Sequence, residues 1–122
     1  MPRSILEENQ IHFAVRQSIA DNNKEIIREV QAAIASNAVV VVGMAQNPFP
    51  RKARKLLDAN STPYKYLEYG SYVSQWRRRT TLKMWTGWPT FPMVFVRGTL
   101  VGGAGELQRL IQSGELARLL AA

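Results

Sequence analysis

The stretch WPTFP, residues 88–92, decides the fold of this chain because it leads directly into the apolar run MVFV at 93–96. Arg-Gly at 97–98 then connects that run to TLV at 99–101, and Gly-Gly follows at 102–103. Short runs rich in β-branched residues, separated by a glycine-containing turn, are typical of a β-hairpin. The sequence therefore predicts a proline-bracketed turn, two short antiparallel strands and a closing glycine pair.

Pro92 gives that turn a defined backbone. The proline ring fixes its own φ, and it biases the preceding residue, Phe91, toward extended backbone. An X-Pro peptide bond can also be cis at a cost of about 0.5–1 kcal/mol. A cis bond would turn the N–H and C=O of Phe91 outward, where they could pair with an extended peptide. The alternative interpretation is a tight turn before a core strand, with no role in binding.

Length and composition limit the class of protein. A chain of 122 residues with 46% hydrophobic residues is expected to form one domain with an ordinary core. The longest apolar run, AVVVV at 38–42, falls far short of the roughly 20 residues of a membrane span. The N-terminus shows no charged region followed by an apolar one, so no signal peptide is expected. We therefore predict a cytoplasmic protein with no membrane partner.

The chain has no cysteine and a single histidine, His12. The absence of cysteine excludes disulfides, thiolate nucleophiles and cysteine-ligated metals, and a lone histidine gives no metal site. There are 16 basic and 9 acidic residues, for a net charge of +7. A basic balance favours an anionic partner, such as a small carboxylate, an acidic protein or nucleic acid, although it also serves solubility.

Hydrophobic periodicity and turn residues predict the remaining elements. Residues 1–23 lack a clean period and are interpreted as an N-terminal extension, with a short helix around 15–20, before a single domain at 24–122. Asn23 is a favourable N-cap for the first helix of that domain. The predicted elements are helices at about 24–35, 51–59 and 72–84, strands at 38–42, 64–68, 93–96 and 99–101, and a C-terminal helix interrupted at Ser113-Gly114.

The order of these elements predicts the architecture. A helix between the first two strands implies a right-handed crossover and parallel pairing, whereas the final hairpin is antiparallel. The unbroken apolar run at 38–42 is typical of a central strand that is buried on both faces. We therefore predict an α/β protein with a four-stranded mixed sheet flanked by helices, which is the thioredoxin-like fold.

Trp-Pro-Thr-Phe-Pro, the hairpin and Gly-Gly together resemble the second half of glutaredoxins, most closely the monothiol class whose active site reads Cys-Gly-Phe-Ser. In monothiol members that motif continues as Cys-Gly-Phe-Ser-Arg-Lys-Ala, and this chain reads NPFPRKA at 47–53. The resemblance extends from about Glu25 to Leu120, which is most of the chain. The matching residues are Phe49, Arg51, Lys52 and Ala53, and the position of the nucleophilic cysteine is held by Asn47.

The resemblance implies that the family's chemistry is lost here. An amide such as that of Asn47 cannot form a mixed disulfide with glutathione and cannot supply a thiolate to iron. We therefore expect no catalytic residue, no cofactor and no iron–sulfur cluster. Glutathione itself stays a candidate ligand.

The resemblance also implies a glutathione groove with two charged contacts missing. Met44 stands where the family has a basic residue, and Ala104-Gly105 stands where it has Cys-Asp or Ala-Asp, unless Glu106 replaces that carboxylate. Arg79 and Lys83, spaced i and i+4, would bracket an anion from one helix face. The expected binding residues are Met44, Asn47, Phe49, Arg79, Lys83, Thr90, Phe91, Pro92, Gly102, Gly103, Ala104 and Gly105.

Three hypotheses for the function follow. The first is a redox-inactive module that binds glutathione, an extended peptide or a protein segment in the groove. The second is a glutaredoxin-type oxidoreductase or electron carrier, the activity that the relatives suggest. The third is a basic binder of an acidic protein or nucleic acid, with Arg51, Lys52, Arg54, Lys55 and Arg77–Arg79 sharing one face. No nucleic-acid-binding signature is present, so nucleic acid is the least favoured partner.

Overall fold

The computed structural model describes residues 3–121, so the outermost residues of the predicted extension and of the predicted domain lie outside it. A single 3-10 turn, Glu8–Gln10, precedes the first α-helix. The helices are α1 (Phe13–Asp21), α2 (Lys24–Ser36), α3 (Pro48–Ala59), α4 (Trp76–Thr86), α5 (Ala104–Gln112) and α6 (Glu115–Ala121). The strands are β1 (Val39–Gly43), β2 (Lys65–Glu68), β3 (Met93–Val96) and β4 (Thr99–Gly102).

The four strands form one mixed sheet in the order β2-β1-β3-β4. Strand β1 pairs in parallel with β2, with Val42 opposite Leu67, and α3 provides the crossover between them. Strand β3 pairs antiparallel with β1, with Val42 opposite Met93, and also antiparallel with β4. The predicted thioredoxin-like fold, with its parallel crossover and antiparallel hairpin, is confirmed.

The four valines of β1 supply both hydrophobic cores because successive side chains of a strand point to opposite faces. Val40 and Val42 pack in the core formed with α2 and α4, and Val39 and Val41 pack in the core formed with α3, α5 and α6. Every residue of β1 is buried, as expected for a central strand. Other members of the two cores are Ile26, Val30, Leu82 and Phe95 on the first face, and Leu57, Leu107 and Leu116 on the second.

Helix α4 begins at Trp76, four residues later than the predicted start at residue 72. The apolar residues Tyr72 and Val73 instead lie exposed in a turn. The backbone N–H of Ser71 donates to the hydroxyl of Ser74 at 3.0 Å, and Gln75 has a φ of 55°, so the chain can enter the helix only after this turn. The local serine hydrogen bonds therefore outcompete the helical pattern.

Asn23 occupies the N-cap position of α2, but its side chain makes no capping hydrogen bond. Its backbone is left-handed, with a φ of 48°, and its Nδ2 donates to the Thr81 hydroxyl of α4 at 3.2 Å. The predicted N-cap position of Asn23 is therefore confirmed, but its side chain bonds to α4 instead of capping α2. The predicted helix around 15–20 is present as the longer α1, and the predicted break at Ser113-Gly114 is confirmed, with Gly114 at a φ of 80°.

None of the helices within residues 3–121 is long and apolar enough to cross a membrane.

Candidate functional site

The amide of Asn47 joins the start of α3 to the turn before β3. Its Oδ1 accepts a hydrogen bond from the backbone N–H of Phe49 at 3.0 Å, which makes Asn47 the N-cap of the helix. Its Nδ2 donates to the backbone carbonyl of Phe91 at 3.4 Å. Pro48 and Pro50 carry no N–H, so among the first three helical residues only Phe49 has a backbone donor, and Asn47 uses it.

The Phe91-Pro92 peptide bond is cis. The ring of Phe91 is buried in the first core, and Pro92 is also buried, whereas Thr90 is exposed. The backbone carbonyl of Phe91 faces the start of α3, as its hydrogen bond to Asn47 shows. The structure thus brings together the two segments that the sequence placed in one groove, although they are 44 residues apart.

The glycine pair between β4 and α5 lies against the same turn. A Cβ atom on Gly103 would lie 3.5 Å from the carbonyl oxygen of Pro92 and 3.8 Å from Nε1 of Trp88. Gly102 has a φ of 114°, and a Cβ there would lie 2.8 Å from the side chain of Glu106. The backbone of this pair therefore approaches the turn closely, and Gly102 is held in a conformation that favours glycine.

Lys83 is a cation beside the turn, and the guanidinium of Arg3 lies against Gly87, just before it. The Nζ of Lys83 lies 5.8 Å from the centroid of the Phe91 ring, and the residue is exposed. Arg79 is different, because it is only 7% exposed. Its Nη1 donates to the backbone carbonyl of Tyr69 at 3.0 Å and to that of Ser74. The expectation of two cations bracketing an anion is corrected: Lys83 presents its charge to solvent, and Arg79 ties a loop to α4.

Three other predicted binding residues contribute little side-chain surface. Met44 is 6% exposed and belongs to the first core, and Ala104 is 4% exposed and belongs to the second. Gly105 is exposed, and a Cβ on it would meet open space. Phe49, by contrast, is 58% exposed at the start of α3. Of Met44, Ala104, Gly105 and Phe49, only Phe49 has a side chain that a ligand could contact.

Glu106 is the carboxylate beside the glycine pair. Its Oε1 accepts a hydrogen bond from the backbone N–H of Gly103 at 2.9 Å, and its Oε2 lies 3.8 Å from Nη1 of Arg109. The hydrogen bond from Gly103 is the main reason that the pKa of Glu106 lies below its ordinary value, because it favours the charged form. A ligand ammonium group in this region would therefore meet a carboxylate that is ionised at neutral pH.

The predicted single basic face is not found. Arg51, Lys52 and Lys55 line one concavity on α3. Arg54 instead lies over the ring of Tyr66, at 4.2 Å from the ring centroid. Arg77 lines a separate cleft near the start of α2.

Trp88 opens the motif at 88–92 but is not among the binding residues expected from the sequence. Its indole Nε1 is buried and has no hydrogen-bond partner within residues 3–121. It lies next to Gly103, as the distance from a Cβ there shows. Its position directly before Pro89 in the sequence could have indicated that it lies beside the turn.

The chain is similar to known proteins in sequence and in fold. The Glutaredoxin family model matches residues 39–101. A glutaredoxin-like protein of Dictyostelium discoideum is 47% identical over 98 residues, which cover 80% of each chain. The bifunctional monothiol glutaredoxin-S16 of Arabidopsis thaliana is 35% identical over 72 residues, which cover 59% of this chain and 25% of that longer protein. Among solved structures, the buckwheat glutaredoxin–glutathione complex has a TM-score of 0.73 at 25% identity, covering 83% of this chain and 92% of the buckwheat chain.

Proposed function

Because this chain belongs to the glutaredoxin family, as the match over residues 39–101 and the 47% identical relative show, we propose that it is a cytoplasmic binding module without redox activity. In this proposal it derives from the monothiol type, and Asn47 holds the position of the catalytic cysteine. The ligand is glutathione or an extended peptide of similar chemistry. Thiol–disulfide exchange and an iron–sulfur cluster are not expected, because the chain contains no cysteine to supply a thiolate.

The observation that carries the proposal is the hydrogen bond from Asn47 Nδ2 to the carbonyl of Phe91. This bond links the two segments that would contact a ligand in the groove, and the Gly102-Gly103 backbone and Lys83 lie around the same turn. A neutral amide can hold this geometry without acting as a nucleophile. The bond takes one lone pair of the Phe91 carbonyl, so an extended ligand would use the other lone pair or displace the Asn47 amide.

The charges around the turn indicate a ligand with a carboxylate and an amine. Lys83 would attract a carboxylate, and Glu106 would attract an ammonium group near Gly103. The similarity to a glutaredoxin solved as a glutathione complex supports this choice of ligand. Met44 carries no charge, and Arg79 is buried, so Lys83 is the one of these three residues that offers a ligand a positive charge. We therefore expect weaker glutathione binding than in a groove with all three cations, by roughly tenfold for each 1.4 kcal/mol of lost binding free energy.

The test is a titration of isotope-labelled protein with glutathione and with S-methyl glutathione, followed by backbone amide shifts. We expect both ligands to shift Phe91 and Gly103 at millimolar concentration and with similar affinity, since no thiol chemistry is involved. Lys83→Gln should weaken both severalfold, whereas Lys65→Gln, an exposed lysine on β2, should not. The absence of any shift at the turn, or equal effects of the two variants, would contradict the proposal. Turnover in a mixed-disulfide reduction assay would contradict the redox-inactive assignment.

A second candidate function has one observation in its favour. Arg51, Lys52 and Lys55 line a concavity of about 420 Å³ together with Pro48, Leu56 and Ala59. No carboxylate of the described residues forms an ion pair with these three cations. An acidic protein segment with a small apolar side chain would match this surface. Binding that weakens steeply with salt and is lost in Lys52→Glu would support this candidate.

A further inference from the structure

A cleft separate from the groove lies between α1, α2 and α4. Its volume is about 440 Å³, which is within the range of small-molecule sites. Each of the three helices contributes at least one apolar side chain to its lining. The apolar lining residues are Val15 and Ile19 of α1, Ile27 of α2, and Met84 and Trp85 of α4.

A second concavity of about 340 Å³, with a more polar lining, lies next to the first. The two share Asn22, Thr81 and Met84 in their linings, so they adjoin, and we name the pair the α1–α4 cleft. The polar end is completed by Asn23, Trp76, Arg77 and Thr80. The cleft is therefore apolar at one end and cationic at the other.

Arg77 is the charge at the polar end. Its guanidinium lies 5.2 Å from the centroid of the Trp76 ring, and it forms no ion pair with any carboxylate in the described part of the chain. A guanidinium in this position can donate two hydrogen bonds to one carboxylate. The exposed cation thus defines the charge of the group that would fit beside it.

The apolar end exposes surface that a ligand would cover. Val15 and Ile19, spaced i and i+4, are 48% and 58% exposed, and Met84 is 57% exposed. Helix α1 buries none of its residues. Removing this apolar surface from water would be favourable, and the flexible side chain of Met84 can adapt to the shape of a ligand.

We propose that the α1–α4 cleft binds a single-chain amphiphile with a carboxylate head, such as a medium-chain fatty acid. The alkyl chain lies against Val15, Ile19 and Met84, and the carboxylate accepts hydrogen bonds from Arg77. The nine residues of α1 span only about 13 Å at 1.5 Å per residue, which suits one short chain better than a partner helix. This site is independent of the groove proposed above.

The test is a titration of the full chain with decanoate below its micelle concentration, followed by tryptophan fluorescence. Trp76 and Trp85 line the two ends of the cleft, whereas the third tryptophan, Trp88, lies beside the turn at 88–92. A fluorescence change is therefore assigned to the cleft only where Arg77→Gln weakens it. We expect a saturable change. Arg77→Gln should weaken binding about tenfold, the effect of one charge-assisted hydrogen bond. Arg78→Gln is the matched control, because Arg78 is an exposed neighbour that does not line the cleft, and it should leave the affinity unchanged.

Two further ligands test the head and the chain separately. Methyl decanoate, which has no charge, should bind wild type about tenfold more weakly than decanoate and should be insensitive to Arg77→Gln. Ile19→Gln should weaken both ligands, and circular dichroism should show that each variant stays folded. An unsaturable response, or equal losses in Arg77→Gln and Arg78→Gln, would overturn the proposal. Binding to anionic vesicles with no response to free decanoate would also overturn it, in favour of a membrane surface.

Discussion

The guanidinium of Arg79 stabilises a loop from inside the protein. Its Nη1 donates to the carbonyls of Tyr69 and Ser74, which precede α4, and the side chain is nearly inaccessible to solvent. Hydrogen bonds from a charged donor contribute more than neutral ones, and a buried carbonyl that loses its donor costs additional free energy. Arg79 is therefore expected to matter for stability, whatever the groove binds.

Replacing Arg79 tests this role directly. Arg79→Met should lower the free energy of unfolding by about 2–3 kcal/mol, because two carbonyls lose their donor. Arg78→Met removes the same charge from an exposed neighbour and should change it by less than about 0.5 kcal/mol. Urea denaturation of both variants provides the measurement. Similar stabilities for the two variants would contradict this role of Arg79 in stability.

The sequence predicted which residues sit at the turn but not how each side chain is used. The motif placed Phe91 and Asn47 at one site, and their hydrogen bond agrees with that placement. The i, i+4 spacing of Arg79 and Lys83 showed only that they share a helix face. It could not show that the loop at 69–74 folds over Arg79 and leaves Lys83 exposed, because that depends on tertiary packing.

At the scale of elements, the start of α5 depends on the carboxylate of Glu106. Gly103 has no side chain to cap the helix, and Glu106 compensates by accepting the hydrogen bond of the Gly103 N–H. A carboxylate near a helix N-terminus is also stabilised by the helix dipole. These interactions keep the pKa of Glu106 below its ordinary value of 4.5.

The stability from Glu106 should therefore depend on pH. A lowered pKa in the folded state means that the stabilisation is present above the ordinary value of 4.5 and is lost as the pH falls through the folded-state value. Glu106→Gln keeps an acceptor oxygen but cannot titrate. We expect wild type to melt above the variant at pH 7 and the difference to vanish on acidification, as measured by thermal denaturation. The effect should be small because the side chain is partly exposed. A difference that is constant with pH would contradict this role.

Most elements followed from local sequence because their signals are strong. The valine run, the proline-bracketed hairpin and the glycine at 114 each determine backbone geometry with little help from packing. The start of α4 did not follow from the local sequence. Tyr72 and Val73 continue the apolar spacing of the helix, but Ser71 and Ser74 form a turn there. Here the short polar side chains determine the backbone conformation, and the hydrophobic period predicts a helix start that is too early.

At the scale of the whole molecule, α1 is only loosely part of the domain. It buries none of its side chains, whereas α2 contributes Ile26 and Val30 to the first core. The predicted boundary at residues 23–24 falls between these two helices and stays a prediction. The α1–α4 cleft could not be predicted, since Val15 and Met84 are distant in the sequence and neither lies in a recognised motif.

Removing α1 tests the predicted boundary. A chain that begins at Asn22 should keep its sheet and unfold cooperatively, because both cores lie within residues 26–120. We expect its free energy of unfolding to fall by less than about 2 kcal/mol, since burying one large apolar side chain is worth about 1.5–3 kcal/mol and α1 buries none completely. Urea denaturation and amide spectra provide the measurement. Loss of cooperative unfolding would show that the first 21 residues belong to the domain.

The strand order β2-β1-β3-β4 also has a consequence for the newly made chain. Strand β1 can pair with β2 once the α3 crossover has left the ribosome, but its other edge waits for β3, whose Met93 pairs with Val42. Until then four adjacent valines border an unpaired edge, which is a template for pairing with other chains. Slow closure of such a long-range contact leaves this edge open to aggregation. The hairpin that begins after Pro92 thus also shields the valine-rich edge of β1 in the nascent chain.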